Sequence, residues 1–329
     1  MKSAISDVLI AGTQAGLQQG ARIFSFRRHY PSMRKRSSPV AAGTTFARNG
    51  SLEVRLARNL QDIRRAQHLR YKIFYEEMSA IPDATALITQ RDEDAFDKIC
   101  DHLLVFDHGQ SNRRSNRIPW GQKPKVVGTY RLLRQEIAEE YSGFYTQEEF
   151  DIAALIARHG RGTQFLELGR SCVLKEFRTR PTIELLWQGI WAYLERHNLD
   201  AMIGCASLEG TDPEQHAEHL SFLHHFYTPP PEWQASAHAH HKVGMNMIPK
   251  EEINSKRVLR SLPPLIRGYL RAGAYIGDGA VIDYQFGTID VLIIFPVTNI
   301  RQRHIDYMRR RDGLSQGHSA GTKSNQITR

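Results

Sequence analysis

Three groups of residues in this 329-residue chain have types and spacing suited to chemistry. The first is the basic stretch KEFRTRP at 175–181, set between an apolar strand-like segment and a helix-like one. The first N–H groups of a helix have no partner within it, and with an arginine pair beside them they make a site for a phosphate. Arg178 and Arg180 flank this turn, and Thr182 is placed to cap the helix. The turn holds no glycine, so it is neither a Walker loop nor a dinucleotide fingerprint; the competing reading is an ordinary turn with solvated arginines. The second group is the acidic run RDEDAFD at 91–97, with Asp92, Asp94 and Asp97 in a long loop. The third is the histidines at 216, 219, 224, 225, 238, 240 and 241, with Cys100, Cys172 and Cys205. No HExxH, CxxC or matched Cys/His spacing occurs, so no metal site and no disulfide framework is expected. Unpaired cysteines at wide spacing fit a reducing, cytoplasmic location.

Apolar periodicity supplies the elements that must hold these groups. Leu52, Val54 and Leu56 alternate as in a strand, and Ile63, Ala66, Leu69, Ile73 and Phe74 recur as in a helix over 60–78. Strands are predicted at 102–106, 125–133, 165–174 and 200–207. Helices are predicted near 146–158 and at 182–198, and 107–124 reads as a polar surface insert. After 208 come a His-rich helix (215–227), a proline run, a helix near 256–271 and two strands at 274–284 and 288–296. The pattern predicts an α/β fold with a mixed sheet flanked by helices, which the C-terminal segment extends. The expected organisation is a basic, mobile extension (1–50), with a weak amphipathic helix at Ile5–Phe26, then a catalytic core (51–210). A C-terminal extension packed on that core (211–300) and a partly disordered basic tail (301–329) complete it.

Charge is uneven. Residues 1–50 carry eight Lys/Arg and one acid, a net +7; residues 301–329 carry seven and two, a net +5. The 51–300 remainder holds 29 basic and 32 acidic residues, a net −3. A nucleic-acid-binding domain concentrates positive charge on a folded face, so the distribution argues against that class. Basic tails suit an anionic membrane surface, an acidic partner protein or free solvation. No stretch approaches 18 consecutive apolar residues, so no spanning helix is expected.

A strand ending in CVL, a basic turn and a helix resemble the pyrophosphate-binding element of the acetyltransferase (GNAT) superfamily. The stretch 65–175 also resembles the acyl-homoserine-lactone synthases: Arg70 with Phe74, Asp94 with Asp97, Arg131 in VVGTYRLL, and Glu167 with Arg170 in LELGR. It departs from them at Ala80, where they carry Trp, and in the insert 107–124. The strings GRSCVLKEFRTRPTIELLWQGIWAYL, MIGCASLEGTDPE, LSFLHHF and PPLIRGYLRAGAYIGDGAVIDYQFGTIDVLIIFPV look like bacterial ornithine N-acyltransferases over about 51–310.

That resemblance implies transfer of a 3-hydroxyacyl group from an acyl carrier protein thioester, with no bound cofactor, to the α-amine of L-ornithine. The product would be lyso-ornithine lipid, made in the cytoplasm with peripheral contact to the anionic inner membrane. It implies a carboxylate that deprotonates the amine, and Glu167 is the candidate; its rival role is a buried ion-pair partner of Arg131 or Arg170. It implies oxyanion donors on the backbone at Cys172 and Val173, with the donor arm held by Leu174, Arg178, Arg180 and Thr182. The Cys172 side chain reads as a small core residue rather than a nucleophile. Asp92, Asp94 and Asp97 would hold a substrate cation, with Arg70 taking the carboxylate and Phe74 and Arg170 lining the site. The alternatives are another amine acceptor, or a membrane- or carrier-binding protein without activity.

Overall fold

The computed structural model describes residues 41–300, apart from Ser79, residues 110–123 and Ser142. The expected helix at 5–26, most of the polar insert and the tail at 301–329 lie outside the described residues. One mixed sheet of eight strands organises the rest, in the order β1-β2-β3-β4-β5-β6-β8-β7. The strands are β1 (Thr45–Asn49), β2 (Leu52–Leu56), β3 (Asp101–Asp107) and β4 (Lys125–Arg134). They continue as β5 (Phe165–Val173), β6 (Ala201–Glu209), β7 (Tyr275–Asp283) and β8 (Thr288–Pro296). Every neighbouring pair is antiparallel except β5–β6, which is parallel. A parallel pair needs a crossover, and α5 (Arg180–His197) provides it.

The predicted strands and helices are present, and the segment 211–300 extends the sheet: its β8 pairs with β6 along nine residues. Two features differ. Order begins earlier than residue 51, because β1 pairs with β2. The helix expected near 256–271 is two, α7 (Ser255–Ser261) and α8 (Pro264–Ala272). Pro263 and Pro264 cause the break, since proline disfavours helical geometry in the residue before it and is at home at the first helical position.

α1 (Leu60–Tyr71) starts at Asn59, whose side chain accepts the Asp62 N–H, and it packs on β4 and β5. Its last turn widens into a π-helical turn over Lys72–Glu77. The loop 79–99 is not bare: it holds α2 (Ala84–Thr89) and a 3-10 turn at Ala95–Lys98 with a reciprocal Asp94–Asp97 capping box. α3 (Gln135–Tyr141) and α4 (Ile152–His159) lead from β4 back to β5. α5 lies against β1 to β4 at close range: a Cβ on Gly189 would come within 2.9 Å of Leu103 and Val54 side chains. α6 (Ala217–Tyr227) packs near β7.

Candidate active site

The site forms where β5 and β6 part. The two strands pair only from Phe165 to Glu167 against Ala201 to Ile203, and beyond that they diverge. Gly204 turns there with φ +158°, and its missing Cβ would lie 2.4 Å from the Leu168 carbonyl oxygen. Leu168, Gly204, Cys205, Tyr269, Ile293 and Phe295 line the recess at this parting.

β5 carries a bulge at the same level. Between Thr129 and Arg131 of β4 the register slips, so Arg170 and Ser171 together face Tyr130, and Arg170 takes φ +50°. The ladder then resumes, and the Leu174 N–H donates to the Val127 carbonyl at 2.9 Å. The antiparallel alternation of bonded and non-bonded pairs turns the Cys172 N–H toward β4. The same alternation turns the Val173 N–H to the side on which β6 has left. The Leu174 N–H, expected at the donor arm, and the Cys172 N–H, expected at the oxyanion, are instead turned into the sheet, and the bulge lies at Arg170–Ser171. The Cys172 thiol is buried, which pushes its pKa up to about 12 and leaves it protonated.

The basic turn is placed beside Val173. Arg178 donates through Nε to the Val173 carbonyl at 2.9 Å and through its guanidinium to Glu77 at 2.5 Å. Arg180 is 82% exposed and pairs with Glu184 one helical turn on, at 2.8 Å. Thr182 does not cap α5: the cap position is Thr179, and Thr182 is fully buried with its hydroxyl 3.2 Å from that of Thr179.

Three arginines and three aspartates form a compact, electrically balanced network beneath this region. Arg70 meets Asp97 at 2.7 and 2.8 Å and Asp92 at 2.7 Å. Arg131 meets Asp94 at 2.6 Å, and Arg170 reaches Asp94 at 3.2 Å and Asp92 at 3.4 Å. Burial alone would favour the neutral forms, but the opposite charges outweigh it. Arg70 and Arg131 are held above the ordinary arginine range, and Asp94 and Asp97 below the ordinary carboxylate range. Asp92, Asp97 and Arg70 are therefore committed to one another in the interior, which corrects their expected roles as substrate ligands. Asp94 and Arg170 stand at the rim, with side chains 25% and 14% exposed. The Arg170 guanidinium lies 4.8 Å from the ring centroids of both Tyr145 and Phe286. Phe74 is buried and packs edge-on against Phe286 at 5.6 Å. Since Phe286 and Gln285 belong to the β7–β8 turn, and the Ile81 N–H donates to the Gln285 carbonyl, that hairpin tip reaches across to the end of α1.

Glu167 is buried and forms no ion pair with Arg131 or Arg170 within the described network. Its carboxylate accepts from the Tyr145 N–H at 3.1 Å, the Thr146 N–H at 2.7 Å and the Thr146 hydroxyl at 2.5 Å. Burial pushes its pKa up, against these hydrogen bonds.

A second group of titratable side chains lies on the same sheet. Glu149, Cys205 and Asp290 each bring an oxygen or sulfur within 4.8 Å of the others. Sequence reasoning missed Glu149 and Asp290. The signal for Asp290 was a lone acid inside the apolar run TIDVLIIFP; for Glu149, 141 positions away, the sequence carried none. The histidines are bound elsewhere: the Nε2 atoms of His216, His225 and His238 meet the carbonyls of Glu209, Ile248 and Gln147 at 2.9–3.0 Å. His219 meets Ser261 at 2.9 Å.

The chain is similar to several known proteins. The acetyltransferase (GNAT) domain family matches residues 69–188. An L-ornithine N(alpha)-acyltransferase of Agrobacterium fabrum is 52% identical over 80% of this chain and 86% of its own. One of Brucella abortus is 50% identical over 79% of this chain and 89% of its own. Among solved structures, an N-acyl amino acid synthase from uncultured soil microbes shares 11% identity, with a TM-score of 0.39, over 76% of this chain and 93% of that one.

Proposed function

Given that this chain belongs to the L-ornithine N(alpha)-acyltransferase family, an acyltransferase with a GNAT domain, we propose that it joins a 3-hydroxyacyl group from acyl carrier protein to the α-amine of L-ornithine. The product is lyso-ornithine lipid. The observation that carries this reading is the 52% identity to an enzyme of that name over 86% of its length, which spans both strands of the parting.

The geometry supports a direct transfer. The pantetheine arm of the donor enters between β5 and β6, where the Val173 N–H is turned to meet the thioester oxygen as it gains charge. Arg178 and Arg180, at the head of α5, face the carrier's phosphate and acidic surface. Arg170, positioned by two aromatic rings, receives the acceptor's carboxylate. No acyl-enzyme is needed, and the protonated thiol of Cys172 agrees with that. In this reading Glu167, whose carboxylate takes three hydrogen bonds from Tyr145 and Thr146, holds that backbone.

The chain works on the cytoplasmic side, where acyl carrier protein is found, and its basic ends touch the anionic inner membrane. The support is the +7 of residues 1–50 and the +5 of residues 301–329. Among the described residues no helix is long and apolar enough to cross a membrane.

The test is a thiol-release assay with purified protein, 3-hydroxyacyl carrier protein and a panel of amines, with mass analysis of the product. L-Ornithine should accelerate release most and carry the acyl group on its α-nitrogen. Faster release with another amine would overturn the acceptor, and a better rate with the matching coenzyme A thioester would overturn the donor.

A further inference from the structure

We propose that Glu149 is the group that takes the proton from the acceptor's ammonium, with Cys205 orienting its carboxylate and Asp290 beside it. This rests on the acyltransfer reading above and names the base that it requires.

Glu149 follows the 3-10 turn Tyr145–Glu148, the turn that Glu167 anchors. The Cys205 thiol donates to Glu149 Oε2 at 3.2 Å. Cys205 is the residue after Gly204, at the place where β6 leaves β5, and it lines the recess. Its sulfur lies 3.9 Å from the Thr146 hydroxyl that binds Glu167. Glu149 is thus linked through Cys205 to the recess at the parting. It is half-buried, whereas Glu167 is buried and takes three hydrogen bonds.

The surroundings tune it for the task. The groups facing Glu149 are Asp290 from β8, Asp283 from β7, Cys205 from β6 and Glu148 on its own turn. Arg170 of β5 acts on Asp290. Burial, then the neighbouring Asp290, pushes Glu149 up to about 8, and burial pushes Asp290 up to about 6. Two carboxylates this close resist holding two negative charges, and an arriving ammonium relieves that repulsion. A base is most effective when its pKa lies near the working pH. The Cys205 thiol, pushed well above its ordinary range by burial, stays protonated, so it donates to Glu149 and does not act as a thiolate ligand or nucleophile.

The step balances. The α-ammonium gives one proton to the Glu149 carboxylate. The freed nitrogen lone pair attacks the thioester carbonyl carbon and forms the C–N bond. Collapse of the tetrahedral intermediate breaks the C–S bond. The pantetheine sulfur leaves with its electron pair and takes the second proton from nitrogen, and Glu149 returns its proton to water.

The test uses the full chain and the thiol-release assay. Glu149→Gln should lower kcat by about 10²–10⁴-fold, with KM for ornithine changed only severalfold, and should abolish the ascending limb of kcat against pH. Glu149→Asp should restore part of kcat. Asp290→Asn should move the limb to lower pH, a shift that a purely structural role would not produce. Wild-type kcat and limb in Glu149→Gln, or an unmoved limb in Asp290→Asn, would overturn the proposal; should Glu149→Gln not fold, the Asp290→Asn limb decides. If the wild type responds to a different amine, the ornithine reading alone fails and the variants are scored with that amine. If no amine accelerates release, both readings fall.

Discussion

Asp97 is shared by two arginines from different elements: Arg70 of α1 grips it at 2.7 and 2.8 Å, and Arg131 of β4 reaches the same carboxylate at 3.4 Å. One side chain therefore ties the helix that covers the sheet to a central strand, in an environment with little water to replace a lost partner.

Asp97→Asn should destabilise the protein by about 3–5 kcal/mol, because the three arginines of the network would then face two aspartates and one positive charge would go uncompensated. The wild-type carboxylate is held well below its ordinary range by Arg70 and then Arg131, against burial. Its contribution is fully present above the unfolded pKa of about 3.9 and is lost as pH falls toward the folded value. The variant should lose stability at pH 7 and show less further loss on acidification. Denaturant unfolding at pH 7 and pH 2 measures both; equal stability of the two proteins at pH 7 would refute the claim.

Glu167→Gln should release the Tyr145–Thr146 backbone, because an amide NH₂ must oppose one of the N–H donors that the carboxylate now accepts. The loss is about 1–3 kcal/mol for an unsatisfied buried group. Amide exchange should quicken at Tyr145 and Thr146, and turnover should fall along with it. Full turnover loss with unchanged exchange would return Glu167 to the role of proton acceptor.

Gly204→Ala would drive a methyl group into the Leu168 carbonyl oxygen, 2.4 Å away. The strands must shift at the parting, at a cost of about 1–3 kcal/mol for overpacking. The KM for the acyl donor should rise more than that for ornithine. Equal effects on both constants would show that the parting does not belong to the donor.

The fold was legible because its elements are long and periodic. The 165–198 strand, turn and helix stood out in composition, and the structure places it where the sheet opens. The acidic loop was legible as charge but not as partnership: nothing local tells that Asp92 and Asp97 face Arg70 across 20 to 30 residues. The helix starts three residues ahead of what Thr182 as its cap implies, with Thr179 at the cap, because Pro181 is at home inside the first turn. Glu149 was not legible at all, since its significance depends on Cys205 and Asp290 from two other strands.

Arg180→Ala should raise the KM for acyl carrier protein severalfold, and more at low salt, because exposed charges are screened over about 10 Å at 0.1 M ionic strength. Arg180 is 82% exposed, so folding should be untouched. Arg178→Ala should also cost stability, since Arg178 holds the Val173 carbonyl. Steady-state kinetics across a salt series checks the pair; a salt-independent KM in the wild type would remove the carrier from this surface.

β6 lies in the middle of the sheet, yet its outer neighbour is β8, the last strand described. During synthesis the chain emerges N-terminus first. Until residues 288–296 clear the ribosome, β6 has β5 on one side for only three residues and an unpaired edge on the other. An apolar strand with an open edge is a template for pairing with another chain. The nascent protein therefore passes through a stage in which the strand bearing Cys205 is exposed to its neighbours on the same polysome. A chain halted before β8 would be an aggregation hazard, and not a smaller version of the enzyme.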